Sequence, residues 1–259
     1  MPDSETLRLL QITDSHILPD PEARFYGVDS AASLRTVIDH ANRDHFDLVL
    51  FTGDLAQEPA PQSYRRLADL CAGLAAPCYW LPGNHDEPAL ARRVLGRTPL
   101  LHQAVIRKGS WLIVCLDSTV PGSAGGSLSG EQLGLLERTL SGHPAFHALI
   151  ALHHHPVPCG SAWMDTMILD NADAFFAVLG RHPQVRTILH GHTHQVSDVE
   201  IEGKRVLGTP STCVQFRPAS RAFALDEEWP GYRWLELGPE GSVETGICRV
   251  AVPPVSDNA

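Results

Sequence analysis

Five short stretches of this 259-residue chain close an apolar run with side chains able to hold metal ions. They are Leu9–His16 (LLQITDSH), Val49–Asp54 (VLFTGD), Leu81–Asp86 (LPGNHD), Leu149–Pro156 (LIALHHHP) and Ile188–His194 (ILHGHTH). Between them they offer Asp14, His16, Asp54, Asn84, His153, His192 and His194, seven nitrogen or oxygen donors without sulfur. A single zinc ion normally takes four protein ligands, or three and water, so seven donors are too many for one ion. Two ions sharing Asp54 as a bridging carboxylate would use all seven. Imidazole mixed with carboxylate favours two divalent transition-metal ions, Mn, Fe or Zn, over Ca. Two such ions about 3.5–4 Å apart activate a bridging water and clamp a phosphate for in-line displacement. The reaction class this implies is phosphoester hydrolysis. Of the adjacent His153, His154 and His155, the first is the expected ligand because it directly follows Leu152.

The elements that must position these residues follow from the hydrophobic pattern. Thr6–Thr13 reads as a buried strand, and Asp14 and His16, two apart, would face one side if the backbone stayed extended. Leu34, Val37, Ile38 and Ala41 repeat at helical spacing behind Asp29 and Ser30, which can cap. Leu48–Thr52 is a continuous apolar run, as in a central parallel strand, and Gly53 lets the chain turn so that Asp54 can face a site. Tyr64, Leu67, Ala68, Cys71 and Leu74 mark the next helix, and Cys78–Leu81 the third strand. Right-handed crossovers make these strands parallel and bring Asp14, Asp54 and Asn84 to one carboxyl edge.

Beyond these, Val105–Arg107 and Trp111–Leu116 read as a hairpin, and Ser129 with Gln132 as a capping box ahead of Leu133, Leu136 and Leu140. Ala148–Leu152 and Val185–Leu189 are two more buried strands ending in histidines. The loop from Pro156 to Leu169, with Trp163 and Asp165, suits the rim of a pocket. After His194 the pattern changes to alternating strands with turns at Glu202-Gly203 and Gly238–Gly241, and antiparallel strands are expected to finish a second sheet. The expected organisation is one domain over residues 1–252 and a frayed tail over 253–259.

With 43% hydrophobic residues the chain can bury a large core. A net charge of -10 carries no basic footprint and argues against nucleic acid as a partner. No run of 18 apolar residues predicts a membrane span. Six cysteines without CxxC spacing point to a reducing cytoplasm.

The order D-x-H, G-D, G-N-H-D, a strand ending in His, and G-H-x-H resembles the calcineurin-like metallophosphoesterases. Gly53–Gln57 (GDLAQ), Trp80–Asp86 (WLPGNHD), Leu152–Pro156 (LHHHP) and Thr209–Phe216 (TPSTCVQF) are further similar to the bacterial class III 3',5'-cyclic AMP phosphodiesterases. The resemblance implies an α/β fold, a four-layer αββα sandwich of two mixed β-sheets flanked by helices. It implies that Asp14, His16, Asp54 and His194 hold one ion, and Asp54, Asn84, His153 and His192 the other. His85 would touch the phosphate and protonate the leaving 3' oxygen, with His16, Asp54, Asn84, His153, His192 and His194 also around the substrate. The implied reaction converts a cyclic nucleotide to its 5'-monophosphate. A broad phosphodiesterase acting on linear diesters such as glycerophosphodiesters would use the same centre. A phosphoesterase-like scaffold serving only as a binding module would be expected to have lost donors, and here every position is filled. His190 stands just before the G-H-x-H, with either a core role or one behind the ligands.

Overall fold

Parallel strands joined by helices set the frame. In the computed structural model, which describes residues 5–252, β1 (Leu7–Ile12) leads to α1 (Ser30–Ala41), whose first turn is capped by Asp29 accepting from the Ala32 N–H. β2 (Leu48–Thr52), α2 (Pro61–Cys71) and β3 (Cys78–Leu81) follow, and β1, β2 and β3 pair in parallel as expected. Leu74 lies past the end of α2 but still packs on the core. Along β2 the side chains alternate: Leu48 and Leu50 face the second sheet, Val49 and Phe51 the helices. Two short elements absent from the sequence reading come next, α3 (Pro88–Leu95) and β4 (Leu100–Leu101). α3 has Pro88 in its first turn and Glu87 accepting from the Ala89 and Leu90 N–H groups, a strong start signal for only eight residues.

β5 (Val105–Lys108) and β6 (Trp111–Cys115) form the expected hairpin. α4 (Gly130–Gly142) is capped by Ser129, which accepts from the Gln132 N–H. The reciprocal half of the capping box is missing, because the Gln132 side chain accepts from the Asp117 N–H instead. β7 (His147–Ala151) precedes a loop holding a short 3-10 turn (Met164–Met167), and α5 (Ala172–Leu179) leads into β8 (Val185–His190). β9 (Ser197–Ile201) and β10 (Lys204–Gly208) turn through Glu202 and Gly203, both at positive φ. β11 (Gln215–Phe216) pairs with β12 (Leu225–Asp226), and the chain ends in the β13 (Gly231–Leu237) and β14 (Val243–Arg249) hairpin.

The strands form two six-stranded mixed sheets, ordered β14-β13-β1-β2-β3-β4 and β5-β6-β7-β8-β10-β9. The late strands therefore divide. β9 and β10 complete the second sheet and pair antiparallel with each other, but β10 joins β8 in parallel, not antiparallel as expected, and β13 pairs antiparallel with β1 and carries β14 back to the first sheet. Alternating apolar residues fit an edge position in either sheet, so the pattern alone could not choose. The sheets share a core of Leu9, Leu50, Ile113, Leu149, Leu189 and Leu235. Outside it, α1, α2 and α3 cover the first sheet through Leu34, Leu67 and Leu95, and α4 and α5 cover the second through Leu136 and Phe175. This is the four-layer αββα sandwich. The expected tail, residues 253–259, lies outside the described residues.

Candidate metal centre

All five chemistry-bearing stretches leave their strands at the same edge, between the two sheets. Asp14, His16, Asp54, His192 and His194 have φ of 53°, 45°, 48°, 66° and 51°. This left-handed region is sparsely used by residues with a Cβ, though Asp and His tolerate it better than most, and it costs on the order of 1–3 kcal/mol per residue. The extended backbone expected at Asp14 and His16 is thus replaced by tight turns, in which their N–H groups donate to the Gly53 and Asp54 carbonyls. The two side chains still converge, through curvature in place of alternation. Gly53, at φ 95°, makes the turn before Asp54 and leaves room for the His153 ring, and a Cβ on Gly83 would run into the Asp54 backbone and carboxylate.

The donors fall into two groups. One is Asp14, His16 and His194; the other is Asp54, His153 and His192, and within each the donor atoms lie within 4.8 Å of one another. Asn84 joins the second group, its Oδ1 3.1 Å from His153 Nε2. Asp54 connects the groups: its Oδ2 is 3.4 Å from His153 Nε2 and 3.7 Å from His16 Nε2. His85 stands at the rim, half-buried, with its N–H donating to Asp54 Oδ1 and its ring edge-on to His16.

Chemistry at the centre fits cations. His16 Nδ1, His153 Nδ1 and His194 Nδ1 point at the Gln57 Oε1, Thr52 carbonyl and Val214 carbonyl oxygens, at 2.7, 2.9 and 2.7 Å. Those acceptors fix each ring with Nδ1 protonated and Nε2 turned inward. His16 Nε2 and His194 Nε2 then face each other at 3.1 Å, two lone pairs in contact unless a proton or a cation stands between them. His192 Nε2 is buried with no hydrogen-bond partner.

Electrostatics prepare the same state. Burial alone would raise Asp14 and Asp54, but His194 and His153 respectively hold them below the usual carboxylate range. Burial pushes His16 down to about 3, against the pull of Asp54, and holds His192 well below the imidazole range, so both rings are neutral. These are the protonation states that metal ligands require. His153 is the exception. Burial lowers it, yet the Asp54 carboxylate, joined by Asp14 and the Thr52 carbonyl, outweighs burial and raises it to about 9.

Several residues that sequence reasoning passed over hold this arrangement. Asp86 accepts from the Gly83, Leu55 and Ala56 N–H groups and from the Tyr64 hydroxyl, tying the Asp54 turn to the Asn84 turn. Phe25 stacks on His16 at 4.7 Å and Phe216 on His194 at 3.9 Å. His154 and His155 stay out of both groups, the first on Ser118 and the second on Asp165. Asp165 also accepts from the Cys159 and Gly160 N–H groups, so it braces the 156–169 loop. His190 is buried at the end of β8, its Nδ1 on the Gly191 carbonyl. Gln57 closes the G-D-L-A-Q stretch, and its spacing from Asp54 was the one available signal.

Residues 7–196, which include every donor and His85, match the family model of the calcineurin-like phosphoesterases. The chain belongs to that family. Two bacterial relatives extend the match over most of the sequence. The 3',5'-cyclic adenosine monophosphate phosphodiesterase CpdA of Pseudomonas aeruginosa is 45% identical over 244 residues, 93% of this chain and 89% of that one. Its namesake from Escherichia coli K12 is 43% identical over 251 residues, 95% and 90% of the two chains. A solved dimetal phosphatase from Danio rerio superposes with a TM-score of 0.64 at 18% identity, over 95% of this phosphoesterase and 99% of that chain, and so bears on the fold.

Proposed function

We propose that this phosphoesterase hydrolyses 3',5'-cyclic AMP to 5'-AMP at a dinuclear metal centre. The observation that carries the catalytic reading is the Asp54 carboxylate, one oxygen of which faces a histidine of each donor group. The named activity of relatives matched over most of their length supports the substrate. Asp14, His16, Asp54 and His194 would hold one ion and Asp54, Asn84, His153 and His192 the other, with Fe or Mn favoured and Zn possible. When bound, two such ions supply Lewis-acid stabilisation of the phosphoryl oxygens and an activated water.

The chain's own part is positioning and proton transfer. Hydrolysis to the 5'-monophosphate breaks the bond from phosphorus to the 3' oxygen, which must leave with a proton. His85 is the donor in this reading. With Nδ1 held by the Gln57 carbonyl at 3.2 Å, its Nε2 is the nitrogen free to meet the leaving oxygen. The N–H of His85 on Asp54 keeps acid and donor groups in one register. All six cysteines are free, which supports a reducing cytoplasm, and no described helix is long and apolar enough to cross a membrane.

A substrate panel tests the proposal: cyclic AMP, cyclic GMP and glycerophosphodiesters, each assayed after reconstitution with Mn, Fe and Zn separately, with products separated by chromatography. Turnover of cyclic AMP to 5'-AMP is expected. No turnover of any cyclic nucleotide beside rapid turnover of a linear diester would refute it.

A further inference from the structure

Two of the largest exposed apolar side chains in the described residues stand next to the metal centre. Tyr26 is 54% and Phe223 43% exposed, and their rings touch at 5.1 Å. They close a circuit of six rings. His16 stacks on Phe25 at 4.7 Å, Phe25 meets Tyr26 at 4.7 Å, Phe223 meets Phe216 at 5.5 Å, Phe216 stacks on His194 at 3.9 Å, and His194 returns to His16 at 5.0 Å. The inner members are the two imidazoles that share a donor group with Asp14, and the outer members face solvent.

Neither exposed ring is placed by accident of packing. Tyr26 has φ 48° and precedes Gly27 at 83°, inside a tight turn closed by reciprocal Phe25 and Val28 backbone hydrogen bonds. A non-glycine residue held there is strained, and the side chain it presents stays more than half exposed. Phe223 is backed by Trp163 at 5.3 Å from the loop expected to form a rim. Each exposed ring is one ring away from a metal-centre imidazole.

We infer that Tyr26 and Phe223 form a platform on which the substrate's purine stacks while its phosphate occupies the donor groups. The inference rests on the cyclic-nucleotide reading and adds the source of its selectivity. The metal centre handles any phosphodiester. The platform rewards only those carrying a flat base, because stacking on an aromatic face is favourable for a π-system and absent for glycerol. Phe216 and Phe25 lie beneath the platform and orient the imidazoles, so they belong to the centre and not to base recognition.

The test compares cyclic AMP with a base-free 3',5'-cyclic ribose phosphate on the metal-loaded enzyme. Tyr26→Ala and Phe223→Ala should each raise KM for cyclic AMP roughly 10-fold, within the range of base stacking on one aromatic ring, with kcat and base-free turnover nearly unchanged. Tyr26→Phe and Phe223→Tyr, which keep the rings, should retain wild-type KM. Equal loss on both substrates would make the pair structural supports of Phe25 and Phe216, and no change on either would make them bystanders; both outcomes overturn the platform. Wild type separates the two readings. If it turns over the base-free diester but no cyclic nucleotide, the functional proposal fails and the platform with it, whereas preference for cyclic AMP that survives both Ala variants sinks the platform alone.

Discussion

Asp86 offers the sharpest check that the centre is held by hydrogen bonds behind it. Its Oδ2 accepts from the Gly83 and Leu55 N–H groups at 2.9 and 3.1 Å, and its Oδ1 from the Ala56 N–H and the Tyr64 hydroxyl, both at 3.2 Å. Asp86→Ala leaves three buried N–H donors without an acceptor, each costing about 1–3 kcal/mol. Part of that loss is offset. Burial and the nearby Asp54 charge raise Asp86 to about 7, so removing its charge relieves desolvation and repulsion, and a net cost of about 3–5 kcal/mol follows, the low end of the sum for three unpaired donors. Asp86→Asn behaves differently. Its amide placed at the Oδ1 position can donate to Tyr64, whose oxygen already accepts from the Glu87 N–H and can turn to accept again, leaving one N–H unpaired at about 1–3 kcal/mol. Urea unfolding of the metal-free variants, with circular dichroism as readout, measures both. Metal affinity should fall roughly 10–100-fold in Asp86→Ala, the usual effect of losing a group behind the ligands. An Asp86→Ala cost below about 1 kcal/mol, or one smaller than that of Asp86→Asn, would refute the reasoning.

The remaining expectations concern the centre itself. His85→Ala should lower turnover by about 10²–10⁴-fold, the contribution of a positioned acid, while elemental analysis finds metal content unchanged; loss of metal would make His85 a ligand. Asp54→Ala should weaken both ions and Asp14→Ala chiefly the one shared with His16 and His194, because only Asp54 faces both groups and offsets their mutual repulsion; metal titrations would disprove this if Asp54→Ala kept one ion at full affinity. Metal uptake should release about one proton from His153 at pH 7 and progressively fewer as pH rises through about 9, since its raised pKa leaves the metal-free ring protonated below that value. Calorimetry in buffers of different ionisation enthalpy reads the count, and its persistence in His153→Ala would assign the proton elsewhere.

How far the chain could be read in advance differs from element to element. The parallel strands β1, β2 and β3 and helices α1 and α2 were legible because each is a whole apolar period, a local property. α3 was not, because eight residues with two arginines give too little period, and the signal lay in Glu87 and Pro88 instead. The hairpin β13–β14 was legible as a hairpin but not as part of the first sheet. Sheet membership depends on which edge is open once β1 is in place, and that is a property of the assembled layers.

At the centre the division runs along the same line. Residue types and their positions at strand ends were enough to propose seven donors and His85 as one site, and the fold brings them together, since the turn chemistry that ends a strand is local. Of His153, His154 and His155, the residue nearest the strand end is the one that faces Asp54. Only the tertiary structure could decide that Asp14 and His16 converge through left-handed turns, that Asp86 fastens two turns by their backbone N–H groups, and that Tyr26 and Phe223, 197 positions apart by number, meet beside the centre. Each of these depends on groups distant in sequence approaching within a few ångströms, and such proximity is created by packing two sheets against each other, which no local pattern of residues encodes.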